Sequence, residues 1–158
     1  MTAAADITWS GTRGTFNLRA AAIITRAGKL LVCMVDGLSC SFLPGGRVRF
    51  GEPAQTALTR EVAEELGHDL PAGRLALVVE NIYFDRGLQH EVGFYYHLRW
   101  PDELAEDDLQ AGSEPGHRFI WVAAGELGSV NFEPAGLAAF LGDLSDLPRH
   151  VLLDRRGS

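Results

Sequence analysis

Residues 46–68 read GRVRFGEPAQTALTREVAEELGH, and the spacing of charges in that stretch decides how the rest of the chain is read. Its second half is helical: Pro53 suits the first turn and Gly67 the position just past the end, which predicts a helix from about Pro53 to Leu66. At about 100° per residue, Glu61, Glu64 and Glu65 fall within about a third of a turn of one another. Like charges at i,i+3 and i,i+4 each destabilise a helix by about 0.2–0.5 kcal/mol. The C-terminal end of the helix dipole disfavours each anion by a further ~0.3–1 kcal/mol. Ala54, Leu58 and Val62 lie beside this acidic stripe rather than opposite it, which puts the carboxylates at the rim of the buried face. A divalent cation reverses the sign of all these penalties, and clustered hard oxygen ligands suit Mg²⁺ or Mn²⁺. Three helical glutamates alone would read as a crowded, solvated face; the residues around them decide otherwise.

From Gly46 the chain runs five residues to Glu52, seven to Arg60-Glu61-Val62, one to Glu64-Glu65 and one to Gly67. This resembles the Nudix box, Gly-x5-Glu-x7-Arg-Glu-U-x-Glu-Glu-x-Gly-U with U apolar. All seven fixed residues match, as does Val62 at the first apolar position. With each residue type at about 7% of an average composition, the chance of such a match is on the order of 10⁻⁸ per window. One position departs: His68 stands at the final apolar place, and Leu70 is expected to make the contact that closes the last turn.

The resemblance implies an α/β fold, a Nudix-like α/β/α sandwich with a mixed β-sheet and a loop–helix–loop catalytic motif. It also implies residue roles. Glu61, Glu64 and Glu65 would hold Mg²⁺ or Mn²⁺ together with the backbone carbonyl of Gly46, and Glu61 and Glu64 would be catalytic. Arg60 would grip a carboxylate in a bidentate pair rather than touch substrate, and Glu52 would support the box at the helix start. Gly45 and Gly46 would admit metal and phosphates close to the backbone, as substrate-binding residues. The implied reaction is substitution at phosphorus by water.

Outside the box, Glu91 on a strand and Glu114 in a loop are candidates for a further acidic residue of the site, although either residue type is more often a surface carboxylate. Phe42 and Tyr83 are candidates for stacking on a base, with Phe84 and Trp121 behind them, although aromatics in strands are usually core. His90 and His97 read as ordinary strand histidines. An isomerase on the same fold would need a cysteine in the site, and the sequence places neither Cys33 nor Cys40 there.

Leu18–Thr25 and Lys29–Val35 form a predicted hairpin around Arg26-Ala27-Gly28, and Val48 and Phe50 alternate with arginines as in a short strand. Leu75–Phe84 and His90–Leu98 make a second strand pair turning at Asp85-Arg86-Gly87. Pro101–Gly116 is an acidic loop with one helical turn around Leu104–Leu109, Arg118–Val122 a strand and Pro134–Leu141 a helix. Strands that precede, flank and follow a central helix give a mixed α/β reading, and the hairpins argue against a purely parallel sheet. One domain over 1–158 is expected, with its core at about 18–141, a loosely organised start and a short tail.

The chain has 158 residues, 46% apolar and 22% charged, with a net charge of −7. That charge argues against broad binding to nucleic acid or an anionic membrane, and the substrate of an acidic protein would arrive as a metal complex if it carried phosphates. No apolar run approaches the ~20 residues of a membrane span, and two cysteines are too few for a disulfide framework. A cytoplasmic enzyme with a small nucleotide-type substrate is expected, with a homodimer left open. The expected activity is a metal-dependent pyrophosphohydrolase that cleaves a phosphoanhydride bond in a nucleoside diphosphate linked to another group. Nucleoside triphosphates, oxidised ones included, and related dinucleotides are the substrates in view. The alternative is a non-catalytic Nudix domain that binds a nucleotide or metabolite as a sensor; such a domain would usually lack a box glutamate, and all four stand here.

Overall fold

The computed structural model describes residues 4–107, 109, 115–144 and 148–157. Its elements in chain order are β1 (Thr8–Gly11), β2 (Gly14–Arg26), β3 (Lys29–Val35), β4 (Ser41–Phe42), β5 (Gly45–Arg47), helix α1 (Ala54–Leu66), β6 (Arg74–Phe84), β7 (Leu88–Arg99), β8 (His117–Ala123), a 3₁₀ helix (Ala124–Val130), α2 (Ala138–Leu141) and β9 (Arg149–Asp154).

Strand β2 organises the sheet. One of its edges is taken by β7, parallel, in unbroken register from Thr15 opposite Gln89 to Thr25 opposite Arg99. The other edge is shared in turn by β1, by β5 at Arg19–Ala21, and by β3 at Thr25 and Arg26 only. The predicted hairpin is present, with Ala27 and Gly28 both at positive φ, as a two-residue turn between twisted strands requires. After two residue pairs, however, β3 leaves β2 and pairs along its whole length with β8. The edge it vacates is where β5 docks, and this seats Gly45 and Gly46 at the middle of the sheet. Beyond β7 the sheet continues antiparallel to β6 and parallel to β9, so it is mixed, as expected.

Ala20-Ala21-Ala22-Ile23-Ile24 in β2 shows no polar alternation because both faces of the sheet are covered. On one face Ala20, Ala22, Ile24, Val48, Leu98 and Trp100 pack against Ala57, Leu58, Val62 and Leu66 of α1. On the other, Ala21, Ile23, Val79, Tyr95 and Val151 pack against Leu127, Leu137 and Leu141 from the 3₁₀ helix and the α2 region. The layers are helix, sheet and a thinner helical layer. Among the described residues, no helix is long and apolar enough to cross a membrane.

Several local expectations change. Pro53 is the residue before the helix, with extended backbone (ψ 145°), and Gly67 closes it in the left-handed region at φ 71°. The short strand lies at Gly45–Arg47 rather than at Val48–Phe50: Val48 is buried, while Phe50 is exposed. The helix expected over Pro134–Leu141 is only Ala138–Leu141, and around Leu104 the described residues show turns and no helix. β1 and β9 fall in stretches that read as loosely organised. β1 is held by a tight hairpin onto β2 across Thr12 and Arg13, whereas β9 is held by pairing with β6, a non-local interaction with little local signature. Leu70 is buried as anticipated, and the His68 ring sits edge-on to Trp100 at 5.5 Å.

The docking of α1 onto the sheet rests on a few fully buried side chains. Leu58→Ala should therefore destabilise the protein by about 2–5 kcal/mol in urea unfolding, whereas Ala63→Ser, on the exposed face, should change it by less than about 0.5 kcal/mol.

Candidate active site

The helix carries its glutamates to the rim of its buried face. Glu61 and Glu65 are half-buried and Glu64 is exposed, as expected for neighbours of Val62 and Leu66. All three line a cleft of about 430 Å³ together with Gly45 and Gly46.

What brings strand and helix so close is the absence of side chains at the first two residues of β5. A β-carbon at Gly46 would lie 2.3 Å from the carboxylate carbon of Glu61. One at Gly45 would lie 2.3 Å from the Ala20 carbonyl oxygen and 2.8 Å from Ala21 Cα. Gly45 N–H also donates to Glu65 Oε2 at 2.9 Å. The close approach is therefore first of all between parts of the protein itself. The two glycines let β5 lie between β2 and the acidic stripe.

Arg60 ties the box together. Its Nε donates to Glu52 Oε1 at 2.9 Å and its Nη2 to Glu52 Oε2 at 3.0 Å, a bidentate pair of two largely buried side chains. Nη2 also donates to the Arg47 carbonyl at 3.1 Å, while Nη1 contacts Glu61 and lies 3.6 Å from Glu64 Oε2. Glu52 further accepts from Arg49 N–H at 3.0 Å. The Arg60 hydrogen bonds hold the Glu52 carboxyl below its ordinary value against the opposing effect of burial. The Glu52 hydrogen bond, and then Glu61, hold the Arg60 guanidinium above its own. Helix α1, β5 and the loop between them are thus joined through one guanidinium.

The rest of the cleft is less acidic than the sequence suggested. Arg19, Arg47 and Arg49 line it beside the glutamates, as do Asp6, Cys33 and His117. Arg19 Nη2 donates to the Gly45 carbonyl at 3.3 Å, and Arg47 Nε donates to Asn17 Oδ1 at 3.1 Å. Sequence reasoning missed these arginines because they lie on β2, on β5 and on the loop before α1. Only their alternation with Val48 and Phe50 hinted that Arg47 and Arg49 share a side.

A second cavity of about 510 Å³ adjoins the first, with Arg19, Phe42 and Leu43 common to both. Its floor is the sheet face bearing Ala21, Asn81, Tyr83, Glu91 and Tyr95. Phe42 thus lies between the two cavities and Tyr83 lies in the second. Glu91 also lines the second, 3.7 Å from Arg19, and is not part of the wall formed by the box glutamates. Glu114 lies outside the described residues. Trp121 lines neither cavity; it is partly buried, packed edge-on against the buried Trp100 at 5.7 Å at the margin of the core. Cys33 lines the first cavity and Cys40 the second, placements the sequence did not anticipate.

Among the described residues, no three His, Cys, Asp or Glu side chains already converge as a set of metal ligands. The cleft nevertheless fits a hard cation. Three carboxylates share one wall, and Gly46 leaves Glu61 lying directly on the backbone where a β-carbon would stand.

A mixed sheet between helical layers, with a glycine strand laid against an acidic helix edge, defines a class of α/β/α hydrolase. The NUDIX domain family model matches residues 15–143, and the chain belongs to that family of hydrolases. It is 33% identical over 108 residues to a Mycobacterium tuberculosis protein provisionally named 8-oxo-dGTP diphosphatase 2, spanning 68% of this chain and 67% of that one. Among solved structures, a MutT NUDIX hydrolase from Burkholderia pseudomallei superposes with TM-score 0.59 at 29% identity, covering 70% of this chain and 84% of the other. A MutT protein from Bacillus halodurans, at 16% identity and TM-score 0.66 over 88% and 91% of the two chains, shares the fold.

The two glycines should respond differently to alanine. Gly46→Ala meets the mobile end of Glu61, so it should fold normally and lose about 10²-fold in kcat. Gly45→Ala meets backbone, so it should lose about 1–3 kcal/mol in urea unfolding.

Glu52 offers a pH test. Its carboxyl is depressed in the folded state, so its contribution to stability is present above its unfolded pKa of about 4.3 and is lost as pH falls through the lower native value. The gap in melting temperature between wild type and Glu52→Gln should be widest near neutrality and close on acidification below about pH 4.

Proposed function

We propose that the protein is a divalent-metal-dependent pyrophosphohydrolase acting on a nucleoside diphosphate linked to a further group, with nucleoside triphosphates, oxidised ones included, as the first substrates to test. One observation carries this reading: a cleft with the three box glutamates, Asp6 and three arginines adjoins a second cavity large enough for a planar base.

Glu61, Glu64 and Glu65 would hold the ion, with the Gly46 carbonyl as a further ligand. Bound Mg²⁺ or Mn²⁺ would neutralise phosphate oxygens and lower the pKa of a water molecule. Arg19, Arg47 and Arg49 offer N–H donors to the remaining phosphate oxygens, which orients the chain of phosphates along the cleft. Glu64 is the most exposed of the three glutamates, so it has the best access to water and is our choice to accept its proton. Arg60 and Glu52 stay paired and keep the wall rigid, which holds the reacting groups in line. Phe42, at the junction of the cavities, and Tyr83 in the second would flank the base. Glu91 belongs in this reading to the base cavity rather than to the metal shell. A cytoplasmic location accords with two free thiols, Cys33 and Cys40.

Removal of divalent ions with a chelator should abolish release of phosphate or pyrophosphate from nucleoside triphosphates, and Mg²⁺ or Mn²⁺ should restore it. Full turnover in excess chelator would overturn the assignment. Glu65→Gln should lower kcat by about 10²-fold or more, yet leave urea stability within about 0.5 kcal/mol, because the amide oxygen can still accept from Gly45 N–H.

A further inference from the structure

Asn81 lies on β6 at the floor of the second cavity, 5% exposed, directly opposite Glu91 on β7 and Leu153 on β9. Its Oδ1 accepts a hydrogen bond from Arg155 Nη2 at 3.1 Å. A guanidinium can only donate, so this bond decides which end of the amide is oxygen. The Asn81 nitrogen, which makes no hydrogen bond to any described residue, is left with its donors at the cavity floor. Buried polar groups in folded proteins almost always have partners. This one is placed for a partner that comes from outside.

Arg155 is itself firmly held. Its backbone N–H continues the ladder past β9 by donating to the Ile82 carbonyl at 2.8 Å. Nη1 donates to Glu133 Oε2 at 2.9 Å, and that oxygen also accepts from Ala135 N–H at 2.8 Å. The guanidinium carbon sits 5.3 Å from the centre of the Tyr83 ring. Strand β9 and Arg155 fall beyond residues 15–143, so this arrangement belongs to a part of the chain outside the match to the family.

Glu91 stands across the ladder from Asn81 and adds an acceptor beside that donor. A donor next to an acceptor complements a ring carbonyl next to a ring N–H, the lactam edge of guanine, hypoxanthine or uracil. The amino-type edge of adenine or cytosine presents the reverse pattern to both groups.

We propose that Asn81 is a specificity-determining residue that donates to the carbonyl of a lactam-type base, and that Arg155 is the positioning residue that fixes its donor. The inference rests on the nucleotide-hydrolase reading above. It extends that reading from phosphates to the base.

Inosine triphosphate and adenosine triphosphate differ only at this edge, so the test is the ratio of their kcat/KM values with Mg²⁺. That ratio is independent of how much enzyme is folded. Wild type should prefer inosine triphosphate by about 10-fold or more. Asn81→Asp, which replaces the donor by an acceptor of the same shape, should erase or invert the preference. Arg155→Met should reduce it several-fold, and Arg155→Lys, which keeps a donor, should recover part of it. A wild-type ratio near one, or an unchanged ratio in Asn81→Asp, overturns the proposal. Equilibrium binding of inosine and adenosine monophosphates without metal separates the two readings. Preferential binding of the inosine compound in a protein that hydrolyses neither triphosphate would sink the catalytic reading and support this one; binding without preference, or no binding, would sink this one.

Discussion

Gly45 and Gly46 are squeezed between a strand and a helix. On one side the Ala20 carbonyl and Ala21 Cα leave no room for a β-carbon at Gly45; on the other the Glu61 carboxylate leaves none at Gly46. A β-carbon at Gly45 would strike fixed backbone and one at Gly46 would displace the Glu61 carboxylate, so two glycines let β5 lie against β2 and α1 at once. The same contact lets Glu65 accept from the Gly45 amide and lets Arg60 reach the Arg47 carbonyl. A slip of β5 by one residue would bring Arg47 against Glu61, or Pro44 against Ala20 and Ala21, and push β5 away from its neighbours. The acidic wall depends on that register.

Charge is organised around this contact at two distances from water. Arg60 and Glu52 are largely buried and fully engaged with each other, so they act as a brace. Arg19, Arg47 and Arg49 are nearer solvent and face the shared space with the glutamates. Such a cleft suits a substrate that brings both a cation and several anionic oxygens, and a net charge of −7 is then no obstacle. The adjoining cavity is built differently, from aromatic and apolar side chains with Asn81, Glu91 and Arg155 among them. Polyphosphate chemistry and recognition of a flat ring are kept in separate, connected places.

The box was legible because its constraints are local. Glu61, Glu64 and Glu65 share one helix, so their spacing alone puts them on one face. Gly67 ends that helix for a reason written in its own backbone freedom. The apolar run in β2 likewise announced one strand of a hairpin with β3. What could not be read was where long-range pairing would lead. β9 has little apolar alternation of its own and exists through its pairing with the distant β6. The early departure of β3 from β2, which frees an edge for β5, follows from its pairing with β8, whose first residue lies more than eighty positions beyond the β2–β3 turn.

By itself, then, the sequence determined the helix with its acidic stripe, the proline before it, the glycine that closes it and a sheet that is not purely parallel, because each follows from periodicity, from the backbone limits of single residues or from short turns between strands. Only the tertiary structure decided what surrounds the stripe. It put Arg19 of β2 beside Gly45, moved Glu91 into the neighbouring cavity, laid Trp121 against the buried Trp100 and brought Arg155, just after β9, onto Asn81. These are meetings between residues far apart in sequence. They are set by strand order and register, which depend on the packing of the whole sheet rather than on any one segment.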